Sequence, residues 1–278
     1  MKYIHSTKVK KNPKDFGLSF YFKRKMCRLL DNRVVEKVRI SKLLSEQGLC
    51  SRREADQYIE QGLVTVDGEV ITELGSRAFP NQKIELKKEA TLAQNARLTL
   101  ILHKPIGFIS HADEDKEYPP AVSLITPERF FRTHLDATRN AKINTRGLAP
   151  AGRLDIDSTG LLILTQDGRI AKQIIGEQST IEKEYLVRVE GTLPANGLAT
   201  LCHGLELDGV ALKPAKVSWQ NENQLRFVLR EGRKRQIRRM CELVGLHVVG
   251  LKRIRIGQIP LGNLPVGQWR FVRSNEKF

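Results

Sequence analysis

The 278-residue sequence contains no apolar run approaching the ~20 residues needed to span a bilayer. Its longest early apolar stretch, 16–22, is too short for a signal core, and no clear small-residue cleavage site follows it. A membrane-spanning or secreted chain is therefore not expected, and a cytoplasmic location is. Cysteine is scarce: the four residues at 27, 50, 202 and 241 form no C-x-x-C pair and meet no histidine cluster at zinc spacing. The adjacent Cys202 and His203 do not by themselves make a ligand set, so the thiols are expected to be reduced and the protein to hold no metal. Acidic residues are also in deficit, 31 Asp plus Glu against 47 Lys plus Arg, which leaves a formal net charge of +16. The natural partner for such an excess is a polyanion, and with no membrane segment in view nucleic acid is favoured.

What is present fits a globular protein of about two domains, at typical domain sizes of roughly 100–150 residues. Residues 1–37 carry 11 basic and 3 acidic side chains and read as a basic extension, either solvated or laid along RNA. Met26 lies within it as an alternative start to Met1.

From Arg39 the pattern changes. Ile40, Leu43 and Leu44 have helical spacing and Gly48 stops the helix. Ser51-Arg-Arg-Glu54 is a capping box that opens a second helix ending at Gly62, with Ala55, Tyr58 and Ile59 facing inward. Alternating residues on either side of Asp67-Gly68 predict a tight hairpin. Arg52 and Arg53 occupy the first helical turn, where the dipole disfavours cations by up to roughly 1 kcal/mol. A bound phosphate would account for them; so would simple solvation. The segment 39–86, above all Leu49-Cys-Ser-Arg-Arg-Glu-Ala-Asp56 with Val66-Asp-Gly68, resembles an S4 RNA-binding domain. The resemblance implies a module spanning 38–86 that grips structured RNA through backbone and shape. Residues 87–97 are polar and read as a linker, and 98–278 as a second, larger domain.

In that domain 98–102 reads as a strand leading to His103-Lys-Pro-Ile-Gly107, and 110–150 as a long irregular loop with helical potential only near 127–135. The most informative stretch is Gly152-Arg-Leu-Asp-Ile-Asp-Ser-Thr-Gly-Leu-Leu-Ile-Leu-Thr-Gln-Asp-Gly168. Asp155 falls in an irregular loop just before a buried strand, where a scaffold holds a carboxylate firmly yet leaves it reachable. Asp157 and Asp167 are rival acids that spacing alone assigns to capping or turning the backbone.

The pattern G-R-L-D-x-x-x-x-G-L-L-x-L-T-x-D-G is similar to the catalytic motif of the RsuA/RluB/RluE/RluF family of pseudouridine synthases. Lys104-Pro-x-Gly107, Lys183-Glu-Tyr185, Glu231-Gly-Arg-Lys-Arg-Gln-Ile-Arg-Arg-Met240 and Leu251-Lys-Arg-Ile-Arg-Ile-Gly257 follow in the family's order. The resemblance implies isomerisation of a uridine without a cofactor, with Asp155 as the essential carboxylate. That group either attacks C1′ of the sugar or takes a proton from C2′. A carboxylate in a pocket that excludes water needs a guanidinium to keep its charge, and the resemblance gives that role to Arg238. It makes Tyr185 the aromatic residue beneath the target base. The base must be flipped out of its helix, and Arg153 is the residue implied to brace the vacated space.

Residues 233–244 are expected to be helical, with Ile237, Met240, Cys241 and Val244 as a buried stripe. Lys234, Arg235 and Arg239 would track phosphates beside Arg238. Arg39, Ser51, Lys104 and Arg233 complete the expected RNA-contacting set. The fold implied is α+β: a small S4 domain joined to a synthase domain on a mostly antiparallel mixed sheet, with the cleft across its middle. Local likeness favours large-subunit ribosomal RNA as substrate, free or in a precursor particle, acted on by a monomer that does not bind membranes. Small-subunit RNA, transfer RNA and a non-catalytic S4 protein that binds ribosomal RNA are the alternatives.

Overall fold

The computed structural model describes residues 36–111, 117–132 and 141–278. Nearly all of the basic extension, and parts of the long loop, lie outside them.

The first unit comprises β1 (Val38–Arg39), α1 (Ile40–Glu46), α2 (Arg52–Glu60), β2 (Val64–Val66), β3 (Glu69–Ile71), β4 (Arg77–Ala78) and β5 (Ile84–Leu86). The capping box forms as expected: Glu54 N donates to Ser51 Oγ at 3.3 Å and Ser51 N donates to Glu54 Oε2 at 2.6 Å. The β2–β3 hairpin turns through Asp67 and Gly68, both at positive φ, which matches the twist of the flanking strands. Ile40, Leu44, Ala55, Ile59 and Val64, each at most 1% exposed, make a core separate from that of the larger unit.

Residues 87–97, the expected linker, join the two units. They fold as α3 (Lys88–Asn95), because Ala90 and Gln94 lie four residues apart on one helix face and both are buried. Gln94 accepts from the Tyr58 hydroxyl at 2.9 Å and donates to Asp167 Oδ1 at 3.0 Å. The same interface uses Glu54 twice, since its other oxygen accepts from Gly168 N at 3.0 Å, the first amide of a helix in the larger unit. One carboxylate thus closes a capping box in one unit and caps a helix in the other.

The larger unit runs through β6 (Thr99–Lys104), β7 (Ala149–Pro150), β8 (Thr159–Thr165), α4 (Gly168–Ile175), β9 (Lys183–Gly191), α5 (Gly197–Cys202), β10 (Glu206–Leu207) and β11 (Val210–Ala211). It continues with β12 (Lys216–Asn221), β13 (Gln224–Leu229), α6 (Gln236–Leu243), β14 (Leu246–Ile256), β15 (Ile259–Pro260) and β16 (Trp269–Phe271). Two 3₁₀ turns, Ala121–Leu124 and Pro127–Arg129, interrupt the described part of the long loop.

Among the described residues the main sheet has nine strands, ordered β12-β13-β9-β14-β8-β6-β16, with β15 on β14 and β7 on β8. Every pairing is antiparallel except β14 with β8. Both sheet faces are covered at β6 and β8, which explains their unbroken apolar character. Leu100, Leu102, Leu162 and Leu164 face one core, and Ile101, Leu161 and Ile163 the other. Each such side chain contributes roughly 1.5–3 kcal/mol of burial. The stripe on α6 packs as expected, with Ile237, Met240, Cys241 and Val244 all in the first of these cores.

Candidate active site

The carboxylate loop 152–158 joins β7 to β8 on the face that carries α6, and its backbone is held from several sides. Ser110 Oγ donates to Leu154 O at 2.7 Å and accepts from Leu154 N at 2.8 Å. Gly107 N donates to Ile156 O at 3.0 Å, and Arg253 Nη1 to Arg153 O at 3.2 Å. Ser158 N closes a turn onto Asp155 O at 3.1 Å. The result is a loop whose path is set by β6, β8 and β14 while the Asp155 side chain stays 34% exposed.

Asp155 lies in the wall of an open cleft of about 1240 Å³, larger than the roughly 300–1,000 Å³ of a small-molecule pocket. A nucleotide with its neighbours fits that size. Arg153, Tyr185, Arg233, Lys234, Arg235 and Arg238 line it as well, so the expected acid, aromatic and arginine set does converge. Tyr185 rises from β9 and is 8% exposed, a ring wall on the cleft side of the main core.

The arginine assignments differ from expectation. Arg238 is buried and pairs with Asp157: its Nη2 lies 3.0 Å from Asp157 Oδ1 and donates to Asp157 O at 3.2 Å and Ser158 Oγ at 3.4 Å. Its Nη1 donates to Val248 O at 3.0 Å. Arg238 therefore ties α6, β14 and the end of the carboxylate loop together. Among the described residues the cation nearest Asp155 is Arg235, 3.9 Å from Oδ2, which also binds Asp157 at 3.2 Å. The reason is backbone geometry: the helix begins at Gln236 rather than 233, and Arg235 is left-handed at φ +51°, which turns its side chain across the loop. Burial works against ionisation of Asp157, but the Arg238 and Arg235 guanidiniums and the Ser158 hydroxyl hold its carboxyl below the usual range. Asp157 is thus the acid paired with buried Arg238, and Asp155, of the two, is the one that lines the cleft. Asp167, the other rival, caps α4 by accepting from Arg169 N at 2.9 Å.

Several expected RNA contacts lie elsewhere. Lys104 is fully buried, with Nζ donating to Pro105 O at 2.9 Å and Phe108 O at 2.7 Å. Burial pushes its ammonium down to about 8, against the pull of Asp155 and Asp157. It clamps the 105–108 turn behind the loop and presents no surface to RNA. Arg239 makes a two-point pair with Asp208 at 2.9 and 2.6 Å and does not line the cleft. The Ser51 hydroxyl oxygen is engaged in the capping box. Arg39, Arg52 and Arg53 are exposed on the smaller unit, outside the cleft lining. Conversely, Lys183, Lys213 and Arg253 line the cleft and were given no role from the sequence. Lys183 opens β9 and Arg253 lies among the basic residues Lys252 and Arg255 of β14, so nothing local sets either apart from a solvated cation.

A family model described as RNA pseudouridylate synthase matches residues 98–243, and one described as S4 domain matches 38–84. The chain is 35% identical over 241 residues to the dual-specificity RNA pseudouridine synthase RluF of Escherichia coli K12, covering 86% of this chain and 77% of that one. It is 32% identical over 219 residues to ribosomal large subunit pseudouridine synthase B of Bacillus subtilis 168, covering 76% and 82%. A crystal structure of a pseudouridylate synthase superposes with a TM-score of 0.56 at 27% identity, covering 85% of this chain and 96% of that one.

Proposed function

Because the chain belongs to the RNA pseudouridylate synthase family and carries an S4 domain ahead of the synthase domain, we propose that it converts one uridine of large-subunit ribosomal RNA to pseudouridine, with Asp155 as the reacting carboxylate. The observation that carries this reading is the placement of Asp155. It is an acid on a loop pinned by Ser110, Gly107 and Arg253, in a cleft that Tyr185 and several arginines also line. The target base enters the cleft flipped from its helix, at a cost of a few kcal/mol. Tyr185 provides its stacking wall, and Arg153 at the rim braces the space it leaves. Asp155 then adds to C1′ or removes the C2′ proton as the bond to N1 breaks. Arg235 is the guanidinium beside Asp155, and Arg238 is a positioning residue that acts through Asp157.

Lys234 and Arg233 on the cleft edge, with Arg39, Arg52 and Arg53 on the S4 domain, supply phosphate contacts. The large-subunit target is supported by the name of the Bacillus subtilis relative. Among the described residues no helix is long and apolar enough to cross a membrane. The protein acts in the cytoplasm as a monomer, on ribosomal RNA or a precursor particle.

The test is incubation of purified protein with large-subunit, small-subunit and transfer RNA lacking pseudouridine, followed by mapping of pseudouridine at single positions. A single new site in large-subunit RNA is expected. Product confined to the other RNAs would replace the substrate, and no product from any of them would remove the enzyme reading.

Arg238→Lys keeps the charge but loses the fork that reaches Asp157, Ser158 and Val248 together. Its single-turnover rate is expected to fall about tenfold or more, each tenfold step being 1.36 kcal/mol of barrier. A wild-type rate in this variant would show that charge alone suffices at this position.

A further inference from the structure

The floor of the cleft holds two cations that the chemistry above leaves unused. Lys183 begins β9, two residues before Tyr185 and on the same face of the strand, and Arg253 is paired with Tyr185 in register across β14. Both line the cleft, and both are more than nine-tenths buried, at 7% and 2% exposed. A buried cation is costly to keep unless it is paired, yet neither has a carboxylate within salt-bridge distance among the described residues. Lys183 Nζ has one long hydrogen bond, 3.4 Å to Ile181 O. Arg253 donates from Nε to Leu161 O at 2.7 Å and from Nη1 to Arg153 O, while its Nη2 is buried without a partner.

The opposite face of the same strands shows how this sheet treats basic residues that serve structure. There Arg226 and Arg255 share Glu184, each at 2.6 Å. Burial, then repulsion from Arg253 and Lys213, pushes the Lys183 ammonium down to about 8, so it still carries its proton at neutral pH.

We propose that Lys183 and Arg253 form an anion hole for the uracil ring of the target nucleotide, holding a carbonyl oxygen of the ring after it has left the sugar. This rests on the reading of the cleft as the site of uridine isomerisation. When the C1′–N1 bond breaks, its electron pair stays with the ring, and the charge spreads to O2 and O4. C1′ is compensated by a bond to the Asp155 carboxylate, or by loss of the C2′ proton to it. The ring turns while one oxygen remains against the two cations. C5 then bonds to C1′ as the Asp155 ester breaks, or as the proton returns to C2′; C5 releases its proton and N1 gains one. No atom or electron is gained or lost overall. Donors set in advance in a water-poor site stabilise a developing anion far better than solvent does. A phosphate of the flipped nucleotide offers the same charge, and the experiment separates the two sources.

Lys183→Met in the full chain is compared with wild type in three measurements: single-turnover rate at saturating RNA, RNA affinity, and thermal unfolding. The expected result is a rate lower on the order of 10²-fold with unchanged affinity. Unfolding should move to higher temperature, because an unpaired buried cation is replaced by an apolar side chain of similar length. Lys183→Arg should recover most of the rate. A wild-type rate in Lys183→Met would overturn the proposal. Weaker binding with an intact saturated rate would reassign the cations to a phosphate. Lower stability with a rate loss that arginine does not restore would reduce Lys183 to a structural role. Wild-type protein in the same assay keeps this outcome distinct from failure of the proposed activity, which would leave it without product.

Discussion

Asp155→Asn is expected to abolish pseudouridine formation while RNA binding persists. Loss of a reacting carboxylate removes the step itself, and removal of a covalent catalyst in other enzymes costs on the order of 10⁴–10⁶-fold in rate. Binding survives because the phosphate contacts are assigned to other side chains, on the S4 domain and on the cleft edge. The fold should also survive, since Arg235, the nearest cation among the described residues, is 3.9 Å from Asp155 and the side chain is 34% exposed. Asp157→Asn provides the contrast. It takes the counter-charge from the buried Arg238, so it should lower the unfolding temperature and reduce the rate only in part. Rates, affinities and melting curves for the two variants decide the matter. Measurable turnover in Asp155→Asn, or total loss in Asp157→Asn at unchanged stability, would exchange the roles of the two acids.

Gly160→Ala is expected to have the largest effect on stability. Gly160 lies on β8 where that strand runs parallel to β14, opposite Arg253. Its φ of +115° is one that side chains rarely tolerate, and a Cβ there would collide with the Arg253 carbonyl oxygen and lie 2.6 Å from its amide nitrogen. Neither atom belongs to a flexible side chain, so relief requires the two strands to part. A cost of roughly 3 kcal/mol or more follows, shared between backbone strain and lost packing. Gly204→Ala is the control: its φ is +105°, but nothing lies within 4 Å of the added atom, so it reports the conformational part alone. Urea unfolding midpoints measure both. Equal, small shifts would show that β8 and β14 separate easily. Because Arg253 also holds the Arg153 carbonyl, any folded Gly160→Ala protein should lose activity out of proportion to its lost stability.

What could be read from the sequence alone were the features set by spacing over a few residues. The Ser51/Glu54 capping box, the Asp67-Gly68 turn, the apolar stripe of α6 and the reachable loop ahead of β8 are of this kind. Each depends on local backbone periodicity, which the order of residues states directly. The long motif around Asp155 added the chemistry by resemblance. Tertiary structure decided which charges meet. Arg238 and Asp157 are 81 positions apart, and their pairing depends on how α6 leaves the sheet and on the left-handed turn at Arg235. Lys104 resembles a surface cation in sequence but is sealed behind the 105–108 turn, and Lys183 and Arg253 become a pair only because β9 and β14 are neighbours. Glu54 is a helix cap by its spacing, and an interdomain contact only once Gly168 is brought against it. Local spacing specifies which backbone groups can be satisfied nearby, whereas a charge's partner and solvation are set by whatever the fold packs around it, and that carries no local signature.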